Sequence, residues 1–178
     1  MQGFYHAHMK RRLGRLLITC ALLLVLTGCA RGAATTTPSA PLLPSTATAL
    51  PSMDPATFAA MVAQQHGTPV VVNFWASWCP PCREETPDLV AANRRWGDRV
   101  RFVGVDLSDD RDGATTFIGD YGVPYPSVFD PTNAIAVSYG LFSPPATLFF
   151  DAGGNLVETV PGQISPHDLE ANIEAITT

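Results

Sequence analysis

The chain has 178 residues, 46% of them hydrophobic and 15% charged, which is room for one domain with a true core and excludes an intrinsically disordered chain. Four of its 11 basic residues, Lys10, Arg11, Arg12 and Arg15, stand near the N-terminus, and from residue 29 onward seven basic residues face 16 acidic ones. That acidity argues against nucleic-acid binding and against a basic membrane-surface patch, and four cysteines are too few for a disulfide-dense scaffold.

Residues 1–15 are polar and basic, and Leu16 to Leu26 is an unbroken uncharged apolar run. Eleven residues rise only about 16 Å as a helix, too short for a ~30 Å hydrocarbon core, so residues 1–28 read as a signal peptide. Its end, Leu26-Thr27-Gly28-Cys29, resembles the bacterial lipobox, in which cleavage leaves Cys29 to carry a diacylglycerol. A plain secretory signal with a chance Cys is the alternative. Arg11-Arg12 is a poor twin-arginine signal because Gly14 and Arg15 occupy positions that want apolar residues, and Cys20 is expected to leave with the signal. In residues 30–52, 18 of 23 are Ala, Thr, Ser or Pro. This composition predicts a disordered, extended spacer over 29–52 that lifts a domain at 53–178 off a membrane.

Within that domain, Asp54-Pro55 is an N-cap followed by proline at N1, and Phe58, Met61, Val62 and Gln65 share one helical face. Pro69 to Trp75 is an apolar, β-branched and aromatic run, as for a strand buried on both sides. A helix is expected from about Cys79 to Trp96, with Pro87 kinking it, and Val100 to Asp106 is the next buried strand. Strand, helix and strand joined by short links predict a right-handed parallel βαβ unit. A short helix ending at Gly122, a strand at 127–129 and a second short helix at about 132–139 follow. Strands at 147–150 and 156–160 flank a hairpin signal at Asp151–Asn155, and Ser165-Pro166-His167-Asp168 opens a last helix. The expected class is α/β, a mixed central sheet with helices on both faces.

The chemistry concentrates in Cys79-Pro80-Pro81-Cys82, where a strand passes into a helix. A Cys at a helix N-terminus faces free N–H groups and the positive end of the dipole, which favours its thiolate. A second Cys one turn later can reach the first sulfur, attack a mixed disulfide and release the client. Helix geometry is expected to expose Cys79 and bury Cys82. A structural disulfide and half a zinc site are the alternatives; zinc lacks ligands, since His66 and His167 do not pair at ligand spacing. A metal is therefore not expected.

VVVNFWASWCPPCREETP, with FVGVDLSDD, YPSVFDP, SPPATLFFDAGGNLV and GQISPHDLEANIEAI, resembles the TlpA/ResA-like extracytoplasmic branch of the thioredoxin superfamily from about residue 54 to the C-terminus. The resemblance implies a thioredoxin fold with a central insertion over 107–139. It also implies a nucleophile at Cys79, a resolving thiol at Cys82 and a cis-proline at Pro145. Asn73 stands where cytoplasmic thioredoxins place a buried Asp, and Glu85 matches a glutamate that the branch holds near its active site. A carboxylate near Cys82 can accept its proton; the alternative for Glu85 is a first-turn acid that complements the helix dipole. Trp75 and Trp78 read mainly as packing. Trp78, Pro80, Pro81 and Pro144 are the candidate client contacts, and Pro144 cannot offer a client the backbone N–H that relatives often place before the cis-proline. A helix at 54–66, instead of the branch's usual opening β-hairpin, is a departure.

The sequence thus predicts a monomeric, lipid-anchored, extracytoplasmic thiol-disulfide oxidoreductase without organic cofactor. It would act on protein thiols and disulfides and exchange electrons with a membrane donor or acceptor. Prolines 80 and 81 supply no N–H to the Cys79 sulfur, which favours a reductant of exported cysteines such as those of apocytochrome c. An oxidant of secreted proteins and a non-catalytic binding lipoprotein are the alternatives.

Overall fold

The computed structural model describes residues 40–178, so the expected signal peptide, the lipidation site Cys29 and the first part of the expected spacer lie outside the described residues. The five strands are β1 (Val70–Trp75), β2 (Arg101–Leu107), β3 (Ser127–Asp130), β4 (Ala146–Phe150) and β5 (Leu156–Pro161). The helices are α1 (Pro55–Ala63), α2 (Pro80–Trp96), α3 (Arg111–Tyr121), α4 (Ala134–Ser138) and α5 (Pro166–Ile176). The strands form one sheet in the order β3-β2-β1-β4-β5. β1, β2 and β3 are parallel, whereas β4 runs antiparallel to both β1 and β5.

Local chemistry sets the helix starts as the sequence expects. The Asp54 carboxylate accepts the Thr57 N–H at 2.9 Å, and Ser165 Oγ accepts the Asp168 N–H at 3.1 Å, each one residue before a proline that needs no partner for its nitrogen. Asp110 Oδ1 caps α3 through the Gly113 N–H, and buried Asp130 accepts from the N–H groups of Ala134 and Ile135 at the start of α4. α2 continues through Pro87 as one helix.

The sheet separates two cores. On one face Phe58, Met61 and Val62 of α1 and Ile135 of α4 meet Val72, Phe74, Val105 and Leu148. On the other, Leu89 and Trp96 of α2, Phe117 of α3 and Ile173 of α5 meet Val71, Trp75 and Phe102. β1 is buried along its full length and sits in the middle of the sheet, as its uninterrupted apolar run predicts. The residues that follow β1 are therefore fixed from both sides.

The spacer expectation is corrected for residues 40–52. Leu50 is only 2% exposed within the second core, and Leu42 and Leu43 pack on the first. Gln64 donates to Ala40 O and its Oε1 accepts from the Leu42 N–H. Ser52 forms a parallel bridge with Phe129, flanked by Phe129 N–H to Pro51 O and Met53 N–H to Phe129 O. Arg111 holds the segment from the other side, donating to Leu50 O and to Ser52 Oγ. A segment too poor in apolar residues to fold alone is ordered here because its three leucines use the domain's surface.

Leu50→Ala should therefore destabilise the chain by about 2–5 kcal/mol, the range for a buried leucine truncated to alanine, measured by urea denaturation. A loss below about 0.5 kcal/mol, as at a free surface, would show that the segment is a spacer after all.

Candidate active site

β1 ends at Trp75, four residues before Cys79, and α2 begins at Pro80. Cys79 is the N-cap residue of α2, with extended backbone, and is disulfide-bonded to Cys82. Its Sγ accepts the Cys82 N–H at 3.2 Å. Pro80 and Pro81 occupy the two positions between and have no N–H, so Cys82 supplies the donor at that helix end.

One expectation fails here. Cys79 is not exposed: it is 2% accessible against 0% for Cys82, and both belong to the core on the α2 face. The disulfide-bonded Cys79 sulfur sits against the helix terminus that it caps. What distinguishes the two thiols is position, since only Cys79 stands at the N-cap.

The loop from Ala76 to Trp78 is tied to the loop after β2. The Ser77 N–H and Oγ–H both donate to the Asp109 carboxylate, the latter at 2.8 Å, and Trp78 Nε1 donates to Ser108 O at 3.1 Å. Arg83, one turn into α2, donates through Nε and Nη2 to Ser77 O. Trp75 is buried and stacks on Phe117 at a centroid distance of 4.6 Å, a packing role; Trp78 is half exposed. Pro80 is exposed, and Pro81 and Pro144 are half-buried.

The Pro144–Pro145 peptide bond is cis, and Pro145 is buried at the start of β4. Ala146 pairs with Phe74, so Pro145 lies beside Trp75 at the end of β1 from which the Cys79 loop departs. The Pro145 carbonyl is occupied by the Gly162 N–H.

Glu85 lies one helical turn beyond Cys82 and is 1% exposed, which excludes a solvated first-turn acid. Its carboxyl accepts the Asn73 amide at 2.8 Å and the Ile164 N–H at 2.9 Å. Asn73 Nδ2 also reaches Thr147 Oγ1 at 3.4 Å. Burial pushes the Glu85 carboxyl up to about 7, opposed by the hydrogen bonds from Ile164 and Asn73 and reinforced by the charge of Asp88. Near neutral pH it can thus take or give a proton. The phenol of Tyr125 is raised by its own burial and by the charge of Glu85.

Sequence reasoning missed the part played by β2 and its loop, namely Asp106, Asp109 and the anchoring of Ser77. The available signal was an aspartate inside an otherwise apolar strand run, Phe102 to Leu107. Among the described residues no group of three or more His, Cys, Asp or Glu is placed to hold a metal ion.

Comparison with known proteins agrees with this geometry. The family model described as Redoxin matches residues 39–176. The thiol:disulfide interchange protein DsbE homolog of Paracoccus denitrificans is 36% identical over 99 residues, covering 55% of this chain and 53% of that protein. The thiol-disulfide oxidoreductase ResA of Bacillus thuringiensis is 28% identical over 112 residues, 62% of this chain and 65% of that protein. The chain thus spans between about half and two thirds of the length of these curated relatives. Among solved structures, a secreted Mycobacterium tuberculosis disulfide oxidoreductase homologous to Escherichia coli DsbE superimposes with a TM-score of 0.58 at 28% identity, covering 64% of this chain and 85% of that one. The expected thioredoxin fold is the fold observed.

The raised Glu85 carboxyl gives a signed prediction. The folded chain holds this proton to about 7, whereas an unfolded glutamate releases it near 4.5. Rising pH through that window therefore favours the unfolded state, and stability falls by about 3 kcal/mol from this group. Urea denaturation of wild type and Glu85→Gln should show wild type losing about 3 kcal/mol more than the variant across this window; parallel curves would contradict the assignment.

Proposed function

The chain belongs to the Redoxin family, and from that premise we propose that it is an extracytoplasmic, membrane-anchored thiol-disulfide oxidoreductase that reduces disulfides of exported proteins such as apocytochrome c. The observation that carries this reading is the Cys79–Cys82 pair at the N-terminus of α2, with the Cys79 sulfur capping the helix through one donor. The basic, apolar and Leu-Thr-Gly-Cys segments of residues 1–29 supply the export and anchoring part of the proposal. The Mycobacterium tuberculosis structural neighbour is described as secreted.

In the reductive half-reaction the Cys79 thiolate attacks one sulfur of a client disulfide. A bond forms between Cys79 and the client, and the client's second sulfur leaves as a thiolate that takes a proton from water. Cys82 then loses its proton and attacks the Cys79 sulfur, which restores the intramolecular disulfide and releases the first client sulfur as a thiol. Two electrons pass from the dithiol to the client, and a membrane electron donor must return them.

Glu85, raised by burial to about 7, is the group proposed to receive the Cys82 proton, with Asn73 and Ile164 fixing its orientation. Pro145 is proposed to shield the sulfur pair from a competing backbone donor and from metal-binding side chains. Trp78, Pro80, Pro81 and Pro144 form the proposed client contacts. Neither a metal nor an organic cofactor takes part in this scheme.

Trapping tests the scheme. In cells, Cys82→Ser should accumulate client mixed disulfides through Cys79, these adducts should fractionate with membranes, and adding Cys29→Ser should move them to the soluble fraction. Adducts on Cys79→Ser but not on Cys82→Ser would reverse the assignment of the two thiols. Adducts that stay membrane-bound without Cys29, on a chain with an uncleaved N-terminus, would remove the lipid anchor from it.

A further inference from the structure

The β2 strand carries Asp106 inside the core, 0% exposed, in register with Trp75 of β1 and Phe129 of β3. Neither carboxyl oxygen has a protein donor, although each is shut off from solvent. A buried, ionised and unpartnered carboxylate is costly enough that such a group keeps its proton instead. Asp109, three residues on and itself an acceptor, is the side chain whose charge and hydrogen bonding act most on Asp106. Two carboxyl groups can share a hydrogen bond only if one carries the proton.

The surroundings reinforce this. Trp75 Nε1 and Ser127 Oγ are likewise buried without a protein partner, and a Cβ on Gly104 would overlap both. The ends of β1, β2 and β3 thus enclose a small polar compartment beneath the active-site loop. The charged groups acting on Asp106 are Asp109 and Asp110 of the loop and Arg111 at the start of α3; β1 and β3 face it with no charge. Burial pushes its carboxyl up to about 9, followed by the charge of Asp109, the hydrogen bond with Asp109 and the charge of Asp110, with Arg111 opposing.

Asp109 is also the residue that grips the loop leading to Cys79. Its carboxylate accepts both the Ser77 N–H and the Ser77 Oγ–H. A proton donated from Asp106 holds Asp109 in that position from behind; ionised, Asp106 would push it away.

We propose that Asp106 is a positioning residue that holds a proton and donates it to Asp109, and that this carboxyl pair, through Ser77, fixes the loop carrying Cys79. The inference rests on Cys79–Cys82 as the redox pair for its consequence in turnover, but not for the pairing itself. It makes the active-site loop sensitive to alkaline pH through a group that never touches the client.

The test uses the full chain in its oxidised form, in which neither Cys79 nor Cys82 titrates. Side-chain carboxyl carbon-13 shifts followed from about pH 4 to about pH 10 read the proton directly. Asp106 should stay protonated through neutrality and titrate near 9, and the Ser77 amide resonance should move with it. Asp106→Asn donates to Asp109 without a titratable proton, so its Ser77 resonance should match wild type at neutral pH and stay flat. Asp106→Leu should displace that resonance at every pH. In disulfide-reduction assays Asp106→Asn should stay within about twofold of wild type at neutral pH and exceed it above pH ~9, while Asp106→Leu loses about tenfold in kcat/KM, as for a lost buried hydrogen bond. Should Asp106→Leu fail to fold, the wild-type titration and the Asn variant still decide. An Asp106 carboxyl that titrates near 4, or a Ser77 resonance that titrates unchanged in Asp106→Asn, overturns the proposal whether or not the chain reduces disulfides.

Discussion

The Cys79 sulfur is held by a single local backbone donor, the Cys82 N–H. That constraint comes from chain chemistry, because two successive prolines remove the N–H groups that α2 would otherwise turn toward its N-cap. The sulfur still lies at the positive end of a 17-residue helix, so its thiolate is favoured, but fewer donors stabilise it than the geometry could supply. A less stabilised thiolate makes the dithiol easier to oxidise and the pair more reducing. The proposed direction of electron flow depends on this balance.

Everything near the sulfurs keeps that terminus in place. β1 anchors the loop from the centre of the sheet, β4 brings Pro145 alongside its end, and α2 packs Leu89 and Trp96 into the core. The face of the sheet toward α2 and α3 is also where the chain accepts buried carboxyls. Glu85 is satisfied by two donors and sits near neutrality; Asp106 has none and depends on a proton. The first is suited to exchanging protons with Cys82 and the second to holding a fixed geometry. The face toward α1 and α4 has a core of aliphatic and aromatic side chains, and there Asp130 serves only to cap α4.

Much of this was legible in the residues themselves. Asp54-Pro55 and Ser165-Pro166 announced two helix starts, the 69–75 run a central strand, and Cys79–Cys82 a redox helix terminus, because each is a local signal read at a fixed offset. Two features depend on distant partners and were not legible. Residues 40–52 look too poor in apolar side chains to order, yet Leu42, Leu43 and Leu50 find surfaces made by residues far along the chain. Composition reports what a segment can bury by itself and not what it can borrow. Asp106 likewise reads as one aspartate among others, and only the fold shows its carboxyl oxygens buried without a donor beneath a loop whose Asp109 grips Ser77. The burial of Cys79 in the core on the α2 face could not be read from helix geometry alone.

The most direct test of the central claim is the reduction potential of the Cys79–Cys82 pair, measured by equilibrating the full chain with defined redox buffers. A sparsely stabilised sulfur behind two prolines predicts a reducing pair, near the roughly −270 mV of thioredoxin. A value above about −180 mV, toward the roughly −120 mV of a dedicated oxidant, would contradict the account and make the chain a donor of disulfides.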